Sequence, residues 1–275
     1  MRYLVFAYSL LIVTGCSNGH IKKIKTDEDL NALEIISREE KIKLIKQLKP
    51  EFEYLFYEDM LKNGVIDVFH FIDLDNDKDP DLIFTGYSGG EPDCVRIFAN
   101  KNNKFENVFD KFIKISNLEI SNNTIIKISI NDPGCCASYI EFNEDYDVAV
   151  APDSFKFTLT SRTALIYETE VPKKYYEKPA AFEVMNDKYY LRSTPKIDTV
   201  DSWYGGEPGT DNILAEFKKG TKGTALAEAT DSTVRVWWYV EIDPASKPTS
   251  SHFYDIEVHP TKLLGWMSSN YLSKK

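Results

Sequence analysis

The sequence predicts an α+β domain, with helices first and an antiparallel-rich sheet after them, followed by a second module built of strands alone. Three observations carry this. Apolar residues recur at helical spacing between Leu30 and Leu61, and from Val65 the period shortens to two. A connector rich in lysine and tyrosine, Pro172 to Pro179, then separates that sheet from a fresh set of strands. The divisions that follow are residues 27–170 for the α+β domain, 171–181 for a linker and 182–275 for the C-terminal module.

Residues 1–26 read as an address and a tether. Arg2 gives a positive start, the run from Leu4 to Val13 is apolar, and Val13-Thr14-Gly15-Cys16 ends it with small residues. The apolar run is far short of the roughly twenty residues a membrane-spanning helix needs, which marks an export signal. Val-Thr-Gly-Cys resembles the lipobox of bacterial lipoproteins. The resemblance implies removal of residues 1–15, a lipid on Cys16, a tether over 16–26, and a membrane-anchored place in the cell envelope facing periplasm or exterior. A formal charge of −10 argues against a nucleic-acid partner, which calls for a clustered positive face.

The helical stretch divides into three. Leu30, Leu33 and Ile36 mark the first. Ser37 with Glu40 matches a capping box and opens a second, with Ile42, Ile45 and Leu48 on one side. Pro50 opens a third, carrying Phe52, Leu55, Phe56 and Leu61, and Gly64 stops it. The first strand, around 66–72, is apolar on both faces and predicts burial on each side, with His70 as a hydrogen-bonded core residue. Further strands are expected near 81–85, 94–100, 111–116, 124–131, 138–142 and 155–168, with Asn102-Asn103 and Asn122-Asn123 as hairpin turns.

Between the first two strands lies Asp73-Leu74-Asp75-Asn76-Asp77-Lys78-Asp79-Pro80-Asp81. Alternating aspartates in a tight loop converge oxygens on one point, the chemistry a hard cation such as calcium takes. Phe84 stands where an EF-hand has its closing glutamate, and Lys78 where it has its turn glycine, so this is not an EF-hand. The strand-loop-strand setting resembles the aspartate loops of integrin-type β-propeller repeats, over one unit from Val68 to Phe98. That resemblance implies a structural calcium site on Asp73, Asp75, Asp77, Asp79 and Asp81; the alternative is a solvated acidic turn. With Cys16 assigned to lipid, Cys94, Cys135 and Cys136 remain in an oxidising compartment. A bridge between the adjacent pair would be strained, so Cys94 is expected to pair with either Cys135 or Cys136.

In the C-terminal module, Lys188 to Pro195 is a strand entering a long polar segment, Lys196 to Asn212, which holds Trp203 and Tyr204. Val234 to Ile242 alternates. Val234, Val236, Trp238, Val240 and Ile242 face a core, while Arg235, Trp237, Tyr239 and Glu241 lie opposite. Leu191-Arg192-Ser193-Thr194-Pro195, Trp237-Trp238-Tyr239-Val240 and Gly265-Trp266-Met267-Ser268-Ser269-Asn270-Tyr271-Leu272 occur in the order of bacterial SH3-like domains, and the resemblance covers residues 182–275. The chain departs from that family in an insertion, Asp243 to Leu264, and in an extended first loop. The resemblance implies an all-β SH3-like small barrel that binds peptidoglycan or a peptide. Trp203, Tyr204, Trp237, Tyr239 and Tyr271 are the candidate ligand-binding aromatics; the other use for such rings is to cover a barrel end or a domain junction.

No glycine-serine elbow, His-Glu-x-x-His helix or cysteine–histidine domain is present, so a cell-wall hydrolase is the least favoured reading. The expected function is that of a lipid-anchored, non-enzymatic envelope protein whose SH3-like domain engages wall polymer or peptide. The alternative is an accessory subunit of an envelope complex that uses this domain for protein packing.

Overall fold

The computed structural model of the chain describes residues 21–48, 52, 65–90, 93–133, 139–151, 154–198, 202–204, 207–209, 211–251, 253 and 260–274, with backbone alone for 202–204 and 207–209. Strand makes up 55% of the structure and helix 11%, which overturns the helix-then-sheet α+β domain. The helices are too short to form a layer of their own. Among the described residues they are α1 (Asp27–Asn31), which buries only Leu30, and α2 (Arg38–Gln47). Helices of this length are marginal alone and persist through caps and packing. Thr26 caps α1 through a reciprocal box with Asp29, and the Ser37 hydroxyl caps α2 by accepting from Glu40 N–H. The third expected helix lies, apart from Phe52, outside the described residues.

A strand precedes the helices. β1 (Lys22–Ile24) falls within the stretch read as tether, yet it pairs antiparallel with β6 (Lys114–Ser121) and buries Ile24. Four strands form an antiparallel sheet in chain order: β2 (Phe69–Ile72), β3 (Asp81–Tyr87), β4 (Asp93–Lys101) and β5 (Lys104–Lys111). One face packs Phe69, Phe71, Leu82, Phe84 and Phe98 against Leu44 and Ile45 of α2. The other packs Ile72, Ile83, Val95 and Ile97 against β6 and its neighbours β7 (Thr124–Asp132) and β8 (Ile140–Ala151). Burial on both faces is why β2 carries no polar alternation. Both asparagine pairs are two-residue hairpin turns with positive φ at each residue, the geometry that suits the right-handed strand twist.

β8 runs into the long strand β9 (Ser154–Ile166), and the C-terminal strands follow: β10 (Ala180–Val184), β11 (Tyr189–Arg192), β12 (Ser202–Tyr204), β13 (Glu207–Gly209), β14 (Ile213–Phe217), β15 (Lys222–Thr230), β16 (Val236–Ile242), β17 (Ser250–Ser251), β18 (Lys262–Ser268) and β19 (Leu272–Lys274). Among the described residues these strands, apart from β12 and β13, share a sheet and a core with the N-terminal part. β18 adds to β9 in parallel, Lys262 opposite Thr163 and Leu263 opposite Ala164, so 13 strands share one sheet. Ile140, Phe142, Ala164 and Ile166 of β8 and β9 join Phe182, Leu191, Leu214 and Val240 in a common core. Gly223 marks a close approach in that core. A Cβ there would lie 2.5 Å from the Glu241 carbonyl oxygen and 2.7 Å from the Phe182 ring.

The linker is part of the packing. Trp266 Nε1 donates to the Glu170 carbonyl at 2.6 Å, and the Tyr175 ring meets Tyr239 edge-on at 6.2 Å. Tyr176 N–H donates to the Leu226 carbonyl, and its hydroxyl donates to Glu228 at 2.8 Å.

Candidate functional site

The aspartate loop spans the turn from β2 to β3, where Ile72 pairs with Asp81. The Asp73 carboxylate accepts from Asn76 N–H at 2.7 Å and Lys78 N–H at 3.2 Å. Asp75 accepts from Asp77 N–H, and Asp77 from Asp79 N–H. Asp81 is buried at the start of β3, accepting from Leu74 N–H at 2.9 Å and Asn100 N–H at 2.8 Å. These bonds turn Asp73, Asp75 and Asp81 toward one another, with one oxygen of each lying within 4.8 Å of the others, and this triad can hold a metal ion. Asp77 and Asp79 are exposed and stand outside it.

Burial raises the Asp75 carboxyl above its ordinary value, and the charges of Asp77 and Asp73 add to the rise. Burial pushes Asp81 up to about 7, against the Asn100 and Leu74 amides that favour its charged form. Among the described residues no ion pair involves any of the five aspartates. Crowded carboxylates without a counter-charge are the electrostatic setting a bound cation relieves.

Lys78 holds the glycine-like position at φ 78°, a conformation costly for a residue with a Cβ. Lys78→Gly is therefore expected to stabilise the protein by about 1 kcal/mol. It should also tighten cation binding by removing a nearby ammonium. Thermal unfolding with and without added calcium checks both effects.

The aromatic residues do not assemble into a groove. Trp237 and Tyr239 are each 1% exposed and pack with Ala227 and Trp266, so their expected outward placement is corrected. Strand alternation assigned one face of β16 to solvent, but Leu226, Ala229, Leu264 and Trp266 pack on that face and Tyr175 of the linker meets Tyr239 there. Both faces are consequently apolar, and Trp238, expected in the core, is only half-buried. Trp237 Nε1 donates to Asp231, whose carboxylate also accepts from Thr233 and Arg235 and is held down to about 2 by those bonds, the Thr233 hydroxyl foremost. Tyr271 is 51% exposed and meets Tyr189 edge-on. Trp203 and Tyr204 lie on β12, which pairs only with β13 among the described residues.

Cys94 is buried on β4, while Cys135, Cys136 and Cys16 lie outside the described residues. Among the described residues no helix is long and apolar enough to cross a membrane.

A second polar cluster has no sequence motif. His70 is fully buried on β2, with Nδ1 at 3.0 Å from Asn31 Oδ1 and Nε2 at 3.1 Å from Thr85 Oγ1. The Thr85 hydroxyl donates to Asp27 at 3.0 Å. Beside it, buried Lys41 pairs with Glu34 at 2.6 Å. Asp27 and Thr85 also line a cavity of about 400 Å³ floored by Leu30, Val95 and Ile113. These residues come from α1, the connection to α2, α2, β2 and β3, and only the fold brings them together. No protein family, curated protein or solved structure matches this chain.

Proposed function

We propose that this chain is a lipid-anchored, non-catalytic envelope protein whose C-terminal module, with its resemblance to bacterial SH3-like domains, serves chiefly to pack against protein. The observation that carries the reading is the burial of Trp237, Tyr239 and Trp266 in one internal cluster, with Trp266 bonded to the Glu170 carbonyl and Tyr239 meeting Tyr175 of the linker, which spends on internal packing the rings a ligand groove would present. His70, lowered by burial to about 4, and Asp81, raised by burial to about 7, are likewise engaged by internal hydrogen bonds. The aspartate triad is assigned a structural calcium, because its donors are all oxygen. The ion's part is to hold a loop.

Wall binding stands as a second reading, favoured by the β12–β13 hairpin, which carries Trp203 and Tyr204 on a ladder separate from the larger sheets. Two measurements on the full chain test these proposals. Labelled palmitate is expected to enter the wild type but not Cys16→Ala, and equal labelling would sink the anchor. Co-sedimentation with purified sacculi is expected to show no saturable retention. Retention lost on combining Trp203→Ala with Tyr204→Ala would instead establish the wall-binding surface and overturn the packing reading.

A further inference from the structure

The aspartate loop faces a small cavity of about 90 Å³ whose other walls come from elsewhere in the fold. Asp75, Asp77 and Asp79 form one side, Asn100 and Lys101 from the end of β4 a second, and Ser154 at the start of β9 a third. Within this wall Asn100 is unusual. It is 4% exposed, its N–H donates to Asp81 and its Nδ2 donates to the Pro80 carbonyl at 3.1 Å. Its Oδ1 is enclosed and has no hydrogen-bond partner. Leaving a buried carbonyl unsatisfied costs on the order of 1–3 kcal/mol, so native structures rarely keep one without a reason. Lys101, which lines this wall, is committed to Glu106 at 3.1 Å.

Three carboxylates fall short of the six to eight oxygens that calcium takes. A neutral amide oxygen adds a ligand without adding to the crowding of negative charge. We propose that Asn100 Oδ1 is a ligand of the cation held by Asp73, Asp75 and Asp81, so that the ion fastens the loop to β4 and does not close on the loop alone. This rests on the cation assignment above. Asn100 is already held by its bonds to Asp81 and Pro80, so the oxygen is positioned before the ion arrives. The ion then joins the β2–β3 loop to the strand two places along the sheet, at the corner where β9 begins.

The test is a terbium luminescence titration of the calcium-free full chain, with calcium competition and thermal unfolding alongside. Wild type is expected to give saturable emission that calcium displaces, and Asp75→Asn is expected to lose it. Asn100→Ala is expected to weaken binding about ten-fold, and Asn100→Asp to restore it, since that substitution returns an oxygen at the same atom. Both Asn100 variants lose the Nδ2 bond to Pro80, and what separates them is the side-chain oxygen together with the negative charge that Asn100→Asp brings. Cation-free unfolding temperatures show whether each variant is folded. No emission from wild type would sink the cation assignment itself. Emission from wild type with equal affinity in Asn100→Ala would overturn the Asn100 ligand and leave the assignment standing. Equal weakening in Asn100→Ala and Asn100→Asp would assign the effect to the Pro80 bond and also overturn it.

Discussion

Trp266→Ala is expected to lower the unfolding free energy by about 3–5 kcal/mol, the cost of emptying a fully packed aromatic site. The indole is 1% exposed and lies 5.2 Å from Tyr239 across the β16–β18 pairing. Its Nε1 satisfies the Glu170 carbonyl, so truncation removes both the packing and the bond to the residue just before the linker. Trp266→Phe separates the two. It keeps most of the apolar contact and forfeits the hydrogen bond, at a cost of about 1–3 kcal/mol for the stranded carbonyl. Urea unfolding measures each. A loss below about 1 kcal/mol for Trp266→Ala would mean that this face is not packed shut, and the exposed groove would regain its standing.

Acid is expected to destabilise the protein through His70. Burial lowers its folded-state value from 6.5 to about 4, with Lys41 acting in the same direction and Asp27 and Asp67 opposing. Glu34 also stands within 3.9 Å of the ring. Because the folded value lies below the unfolded one, the protonated ring is penalised only in the folded state. Stability is therefore complete above about pH 6.5 and falls as pH drops toward 4, by about 3 kcal/mol. Stability measured against pH for wild type and His70→Gln should give curves that converge in acid, the variant lacking that part of the acid limb. Parallel curves would show that the ring titrates alike in the folded and unfolded chain, and a wild type gaining stability over the variant as pH falls toward 6.5 would show that the Asp27 and Glu34 carboxylates hold the ring charged.

What the sequence disclosed and what it hid follow from how far each interaction reaches along the chain. The Asn102-Asn103 and Asn122-Asn123 turns, the Ser37 cap and the aspartate loop are all decided within a few residues, and each appears where local chemistry places it. The α+β expectation failed because helical periodicity shows that a helix is compatible, not how much of the domain it occupies. Trp237 and Tyr239 were assigned to solvent because alternation cannot reveal a segment some sixty residues away that returns to meet the outer face. Asn100 escaped notice because it joins the loop only through β3–β4 pairing. Its one sign in the sequence is an asparagine ending the apolar run Ile97-Phe98-Ala99. The His70 cluster drew on five segments and left no pattern.

The parallel ladder between β9 and β18 sets the order in which this chain can be completed. Thr163 waits for Lys262, about a hundred residues later, so this part of the edge of the N-terminal sheet stays open until those residues have emerged. An open edge beside exposed apolar side chains invites pairing with another copy. The interval between the appearance of β9 and the arrival of β18 is thus the chain's period of greatest exposure to aggregation. Once β18 is seated, it pairs with Thr163 and Ala164 and closes that part of the edge.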